Sequence, residues 1–277
     1  MAPPSLRFGE LRIEGASRAG EETWFRVHPP GLAFDVGRGD PVLAGARDLF
    51  LTHGHLDHAS GVAYVLSQRS LHGDEITRVI CPAPVAAAVV DLLEASSRLE
   101  GVSYRYEVVA SKAGERFVVG KNLEVEAFAT DHVVPSLGYH LVRRKSRLAP
   151  EFRGLEPGEL VALKKSGREI EQEEEEIWLS YCGDTAAGVF ACEPRLFTST
   201  ILLIECTFMT DELRDRSASY KHLHLEDLAE RAGEFRNEAL VLHHLSRRHR
   251  PEELRVEIDR RMPTLAPRIH LFPPSAA

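Results

Sequence analysis

The sequence predicts an α/β fold on three observations. Short apolar, β-branched runs recur from end to end, and amphipathic stretches of helical period fall between them. Two of the runs, ILLIE at 201–205 and LVLHHL at 240–245, are almost continuously apolar, as strands buried on both faces must be. No internal repeat and no Pro/Gly-rich linker divides the chain, so a single domain spanning 1–277 is expected.

Taken in order, strands are expected at 31–37 (GLAFDVG), 48–54 (DLFLTHG) and 77–82 (TRVICP). A helix follows at 83–99, with Val85, Val89, Leu92 and Leu93 on its inward face. Strands resume at 115–120, 123–130 and 137–142. The charged segment 143–176 reads as an excursion, a possible short basic arm. Beyond it come strands at 177–184 and 198–208, then a helix at 224–236 facing inward through Leu225, Leu228, Ala229, Ala232 and Phe235. A strand at 239–246 precedes a helix opened by Pro251, with Leu254 and Ile258 inward, and a last strand lies at 268–272.

Composition narrows the function. Hydrophobic content of 43% and charged content of 27% are those of an ordinary globular protein. No apolar run approaches the roughly 20 residues that span a bilayer, so no membrane partner is expected. The opening MAPPSLRFGELRIEG lacks the basic-then-apolar pattern of a secretory signal, which makes a cytoplasmic protein the expectation. Cys81, Cys182, Cys192 and Cys206 show no CxxC spacing; they read as reduced, small apolar core residues. A net charge of −8 argues against a protein that grips nucleic acid with its whole surface. Local basic patches stand at 143–147, continued by Arg153, Lys164, Lys165 and Arg168, and at 247–250. The acidic run at 173–176 reads as a solvated loop.

The chemistry is concentrated at 51–61, LTHGHLDHASG. His53 and His55, two residues apart, project from one side of an extended segment and can ligate one ion together. Asp57 and His58 lie past the turn and can serve a second. Imidazole and carboxylate without thiolate suit zinc, with manganese or iron as substitutes. Two ions need more ligands than this stretch holds, and His132, Asp184 and His244, each at a strand end, can complete the set.

The order HxHxDH, a lone histidine, GDT, then a histidine after an apolar strand resembles the metallo-β-lactamase superfamily. More narrowly, the chain is similar to the ribonuclease Z (tRNA 3′-endonuclease) family in its short, plant-like form. FDVGRG at 34–39, HVVPSLGYHLVRRK at 132–145, EFRGLEPGELVALKKSGREI at 151–170, IECTF at 204–208, KHLHLEDLAERA at 221–232 and LHHLSRRHRPEEL at 242–254 carry that resemblance. It implies a four-layer αββα sandwich with two Zn2+ ions at one edge. His53, His55 and His132 would hold one ion; Asp57, His58 and His244 the other, with Asp184 bridging. It also implies a glutamate-oriented histidine as general acid: Glu205 with His222, or His224 as the alternative, Lys221 standing where the family commonly has glycine. Arg247 and Arg248 are the candidate phosphate contacts. The implied activity is hydrolysis of a phosphodiester, removal of the 3′ trailer from precursor tRNA, by a homodimer. A small-molecule phosphodiester or ester hydrolase, and a non-catalytic binding protein, are the alternatives of different class.

Overall fold

The computed structural model describes residues 2–71, 73 and 75–274. The first half builds one seven-stranded sheet: β1 (Ser5–Phe8), β2 (Leu11–Arg18), β3 (Glu22–His28), β4 (Leu32–Phe34) and β5 (Asp48–Phe50). Helices α1 (Leu56–Ala59) and α2 (Val62–Ser70) lead to β6 (Thr77–Pro82), and α3 (Ala86–Glu100) leads to β7 (Tyr106–Ser111). Neighbours run antiparallel from β1 to β4 and parallel from β4 to β7.

The second half repeats that plan. Its strands are β8 (Arg116–Gly120), β9 (Leu123–Ala129), β10 (Leu137–Leu148) and, after α4 (Pro157–Lys165), β11 (Glu171–Tyr181). Helix α5 (Val189–Cys192) precedes β12 (Ile201–Glu205); α6 (Arg214–Tyr220) and α7 (Leu225–Ala229) precede β13 (Ala239–His243). Last come α8 (Pro251–Arg261) and β14 (Ile269–Leu271). Pairing is antiparallel from β8 to β11 and parallel from β11 to β14.

The two sheets meet through Phe25, Phe34, Phe50 and Ile80 on one side and Tyr139, Leu141, Tyr181 and Leu203 on the other. Fully burying one such side chain stabilises by roughly 1.5–3 kcal/mol, so this middle layer outweighs any exposed ion pair. Val62, Val65, Val89 and Leu93 seal α2 and α3 onto the outer face of the first sheet. Leu225, Leu228, Leu254 and Ile258 seal α7 and α8 onto the second. The order is helix, sheet, sheet, helix, as expected.

Several local expectations change. The acidic run at 173–176 is not a loop: it is the outer half of β11, with Glu176, Glu175 and Glu174 opposite Arg143, Arg144 and Lys145 of β10. Opposite charges facing across a ladder stabilise it, and ion pairs follow at Arg143–Glu176 (3.0 Å), Arg144–Glu175 (3.4 Å) and Arg147–Glu174 (3.1 Å). The segment 143–176 is thus a hairpin arm with a charge-compensated stalk. Its tip carries α4 on a small core of Ala149, Phe152 and Ile170 with Leu160 and Leu163. Leu92, expected inward, is 40% exposed, and Cys192, expected in the core, is exposed. The helix expected at 224–236 is regular only through Ala229. Strands β1–β3 and β7 and helices α1, α2, α4, α5 and α6 were not anticipated from the sequence.

Candidate metal centre

The C-terminal ends of β5, β9, β11, β12 and β13 converge on one edge of the sandwich, and every expected ligand sits in the segment leaving one of them, Asp57 and His58 within α1. His53, His55, Asp57 and His58 follow β5, His132 follows β9, Asp184 follows β11 and His244 follows β13. Gly183 permits the tight approach of the Asp184 loop. Its φ is +61°, and a Cβ there would stand 2.7 Å from Thr52 Cβ.

The structure brings all seven residues together. One group comprises His53, His55, His132 and Asp184, another Asp57, His58 and His244; within each, one ligand atom per residue lies within 4.8 Å of all the others. Asp184 lies between them. Its Oδ1 is 3.4 Å from His58 Nε2, and its Oδ2 is 3.7 Å from His53 Nε2 and 3.5 Å from His244 Nε2. His244 Nε2 is also 3.5 Å from Asp57 Oδ2.

The outer nitrogens of four of these imidazoles are all engaged. His53 Nδ1 meets Thr52 Oγ1 at 2.9 Å, His58 Nδ1 meets Asp35 Oδ2 at 2.8 Å, His244 Nδ1 meets Thr207 Oγ1 at 2.8 Å, and His132 Nδ1 meets the Lys221 carbonyl at 3.1 Å. With Nδ1–H donating outward, each Nε2 presents a lone pair to the centre. His53 Nε2, His58 Nε2, His244 Nε2 and Asp184 Oδ1 are buried without a hydrogen-bond partner. Leaving such atoms unpaired is costly unless something binds them. Nitrogen and carboxylate donors without a thiolate fit a divalent cation.

Asp35 is the residue that sequence reading passed over. Fully buried at the end of β4, it accepts from Thr52 N (2.7 Å), from Thr52 Oγ1 and Tyr181 OH (2.6 Å), and from His58 Nδ1. The β2–β3 hairpin was also unforeseen: in its turn Gly20 N donates to Asp57 Oδ2 at 3.0 Å, and from β2 Ser17 Oγ accepts from His244 N at 2.8 Å. FDVGRG was the only signal for Asp35, and nothing local marks Ser17 or Gly20.

Beside the ligands stands a pair of different character. Glu205, fully buried at the end of β12, receives His222 Nδ1 at 2.8 Å, Thr185 N at 2.7 Å and Thr207 Oγ1 at 2.5 Å. The His222 ring stacks on His244, centroids 5.3 Å apart. Burial opposes its charged form, but the Glu205 carboxylate and its hydrogen bond outweigh burial and lift the imidazole to about 9. His224 lies outside this group. Its Nδ1 accepts from Glu226 N at 3.1 Å, capping α7, and its Nε2 donates to the Thr210 carbonyl at 3.0 Å. Both nitrogens are engaged, which leaves it no proton to deliver. Arg247 and Arg248 are exposed in the turn after β13, with Arg247 Nε 2.8 Å from Glu21 Oε1. His243 faces the other way, its ring against Phe25 and Tyr181 between the sheets.

Fold and site together define a metal-dependent hydrolase of the metallo-β-lactamase fold. The family model for the beta-lactamase superfamily domain matches residues 38–245. The chain is 31% identical to tRNase Z TRZ1 of Arabidopsis thaliana over 261 residues, 93% of each chain, and 30% identical to the chloroplastic tRNase Z TRZ2 of the same plant, covering 88% of this chain and 70% of that one. The chain belongs to the tRNase Z (ribonuclease Z) family. At the level of fold it matches human tRNase Z, short form, with a TM-score of 0.53 at 17% identity, covering 89% and 91% of the two chains. The metallo-β-lactamase fold protein YhfI of Bacillus subtilis gives 0.63 at 14% identity, covering 94% and 95%. Among the described residues no helix is long and apolar enough to cross a membrane.

Proposed function

We propose that this protein cleaves precursor tRNA at its 3′ side, with two divalent cations, zinc by preference, as cofactors. A relative that matches 93% of the chain is a tRNase Z. The observation that carries the chemistry is Glu205–His222 at 2.8 Å beside Asp184 and His244. His53, His55 and His132 would hold one cation and Asp57, His58 and His244 the other, with Asp184 shared between them. Bound there, divalent cations would lower the pKa of water to about 7 and offset charge on the phosphoryl oxygens.

The chain's own groups do the rest. Asp35, Thr52 and Thr207 hold the imidazoles with Nε2 inward. Glu205 keeps His222 protonated at neutral pH, and His222 Nε2–H donates to the departing ribose 3′-oxygen. Arg247 and Arg248 follow His244 in the exposed turn after β13, where Arg247 exchanges Glu21 for a substrate phosphate.

A homodimer and a cytoplasmic location complete the proposal. Helix α3 exposes Ala88, Leu92, Ala95 and Leu99 at heptad spacing, continued by Val102. It starts beside the centre, where a Cβ on Gly54 would stand 3.5 Å from Val85 Cγ1. Antiparallel pairing of two such helices sets Asp91 of one against Arg98 of the other. All four cysteines are unpaired, as suits a reducing compartment. Light scattering tests the dimer, which Leu92→Glu should split to monomers.

Incubation of the zinc- or manganese-loaded protein with precursor tRNA and with bis(p-nitrophenyl) phosphate tests the activity. A single cut releasing the trailer is expected, abolished in Asp184→Ala. Hydrolysis of the diester with intact tRNA would overturn the substrate reading.

A further inference from the structure

Lys221 closes a ring of contacts that no sequence pattern announced. It caps α6 in the left-handed region, φ +52° and ψ +56°, a conformation that favours glycine. Its own N–H and that of His222 close the helix end onto Ala218 and Ser217. A strained lysine kept at a functional edge asks for a reason. Two contacts supply one. The Lys221 carbonyl accepts from His132 Nδ1 at 3.1 Å, and Lys221 Nζ lies 2.8 Å from Asp131 Oδ1, on the residue preceding His132.

The ring continues through the backbone. Asp131 N donates to Thr185 Oγ1 at 3.0 Å, and Asp131 O accepts from Ala186 N at 2.8 Å. Thr185 N donates to Glu205 Oε1, which also receives His222 Nδ1, one residue from Lys221. A Cβ on Gly188 would collide with the Asp131 carboxylate, so that side chain is hemmed in from the other side.

We propose that Lys221 is a positioning residue. Its ammonium clamps the Asp131 loop to the end of α6 so that its carbonyl aims His132 at the first cation, tying that ligand to the Glu205–His222 pair. The inference rests on His132 being a metal ligand. Lys221 and Asp131 side chains are 45% and 33% exposed, so the ion pair adds little to folding. Its effect therefore falls on ligand geometry. Partners that orient a ligating histidine typically govern metal affinity about 10–100-fold.

The test is equilibrium competition for zinc against a chromophoric chelator, paired with thermal melting of the EDTA-stripped protein. Lys221→Met and Asp131→Asn should each weaken one of two metal equivalents by about tenfold and leave the other unchanged, while Lys221→Arg retains both. Lys221→Gly relieves the left-handed strain, so its stripped form should melt no lower than wild type and yet lose the same affinity. A purely structural lysine cannot give that split. Wild-type affinity in Lys221→Met and Asp131→Asn overturns the inference, as does a loss that tracks a lowered melting point. The underlying reading fails separately, and takes this inference with it, if His132→Ala keeps both equivalents.

Discussion

At His222, charge and position can be separated by choice of leaving group. A ribose oxygen departs as a poor alkoxide and needs a proton, whereas p-nitrophenolate leaves without one. His222→Ala should therefore slow cleavage of precursor tRNA by about 10²–10⁴-fold but diester hydrolysis by less than about tenfold, with both metal equivalents retained. His224→Ala should slow neither selectively; losing the α7 cap costs about 1 kcal/mol, read in urea unfolding. Equal losses on both substrates in His222→Ala would remove it as the acid. Asp35 acts one bond further out. With Asp35→Asn the Oδ2 acceptor for His58 Nδ1 is compromised, and chelator competition should show metal affinity down about 10–100-fold. Much of the site was legible because His53, His55, Asp57 and His58 fall within six residues and carry metal chemistry in their side chains. Asp35, Thr207 and Ser17 were not, because each acts only through a partner far away in sequence.

At the scale of elements, the arm shows where periodicity runs out. Four glutamates have no apolar alternation, so local pattern reads them as solvent-exposed loop; what makes them a strand is the row of cations opposite on β10. β2 was missed for a related reason. Gly15 interrupts it, yet the glycine is required there, since any Cβ would collide with the Trp24 carbonyl. β12, β13 and α8 were legible because their apolar residues face a core directly. The same charge ladder has a functional consequence. Replacing the glutamates at 173–176 by glutamine frees Lys145 and Arg147 from their partners, while Arg143 and Arg144 keep Glu10 and Glu124. RNA affinity should then rise and its log–log salt slope steepen by up to about one per freed cation. Filter binding between low and physiological salt measures it. An unchanged slope would mean that the stalk never approaches phosphate, leaving any RNA contact to the α4 tip and to Arg247 and Arg248.

For the whole molecule, the centre is a joint between two halves of the same plan. The first sheet supplies His53, His55, Asp57 and His58; the second supplies His132, Asp184 and His244. A cation held by both is a crosslink between the sheets, additional to their aromatic layer. Binding only to the folded state stabilises it by about 4 kcal/mol per site at a thousandfold excess over Kd. A chain of this size moves its melting point by roughly 2–4 °C per kcal/mol. Chelation should therefore lower Tm by about 10 °C or more, and zinc should restore it in scanning calorimetry. Asp184, a member of the first group that lies 3.4 Å from His58 and 3.5 Å from His244 of the second, gives the sharpest contrast. Burial opposes its ionisation, and His244 and His58 hold it ionised below the usual carboxylate range. Asp184→Asn leaves the side chain its size while weakening both cation sites, so its Tm should become insensitive to chelator. His132→Ala and His244→Ala, each removing a ligand of one of the two proposed cation sites, should keep about half of the wild-type response. If chelator leaves the wild-type Tm unmoved, the orphaned nitrogens of His53, His58 and His244 are not held by metal.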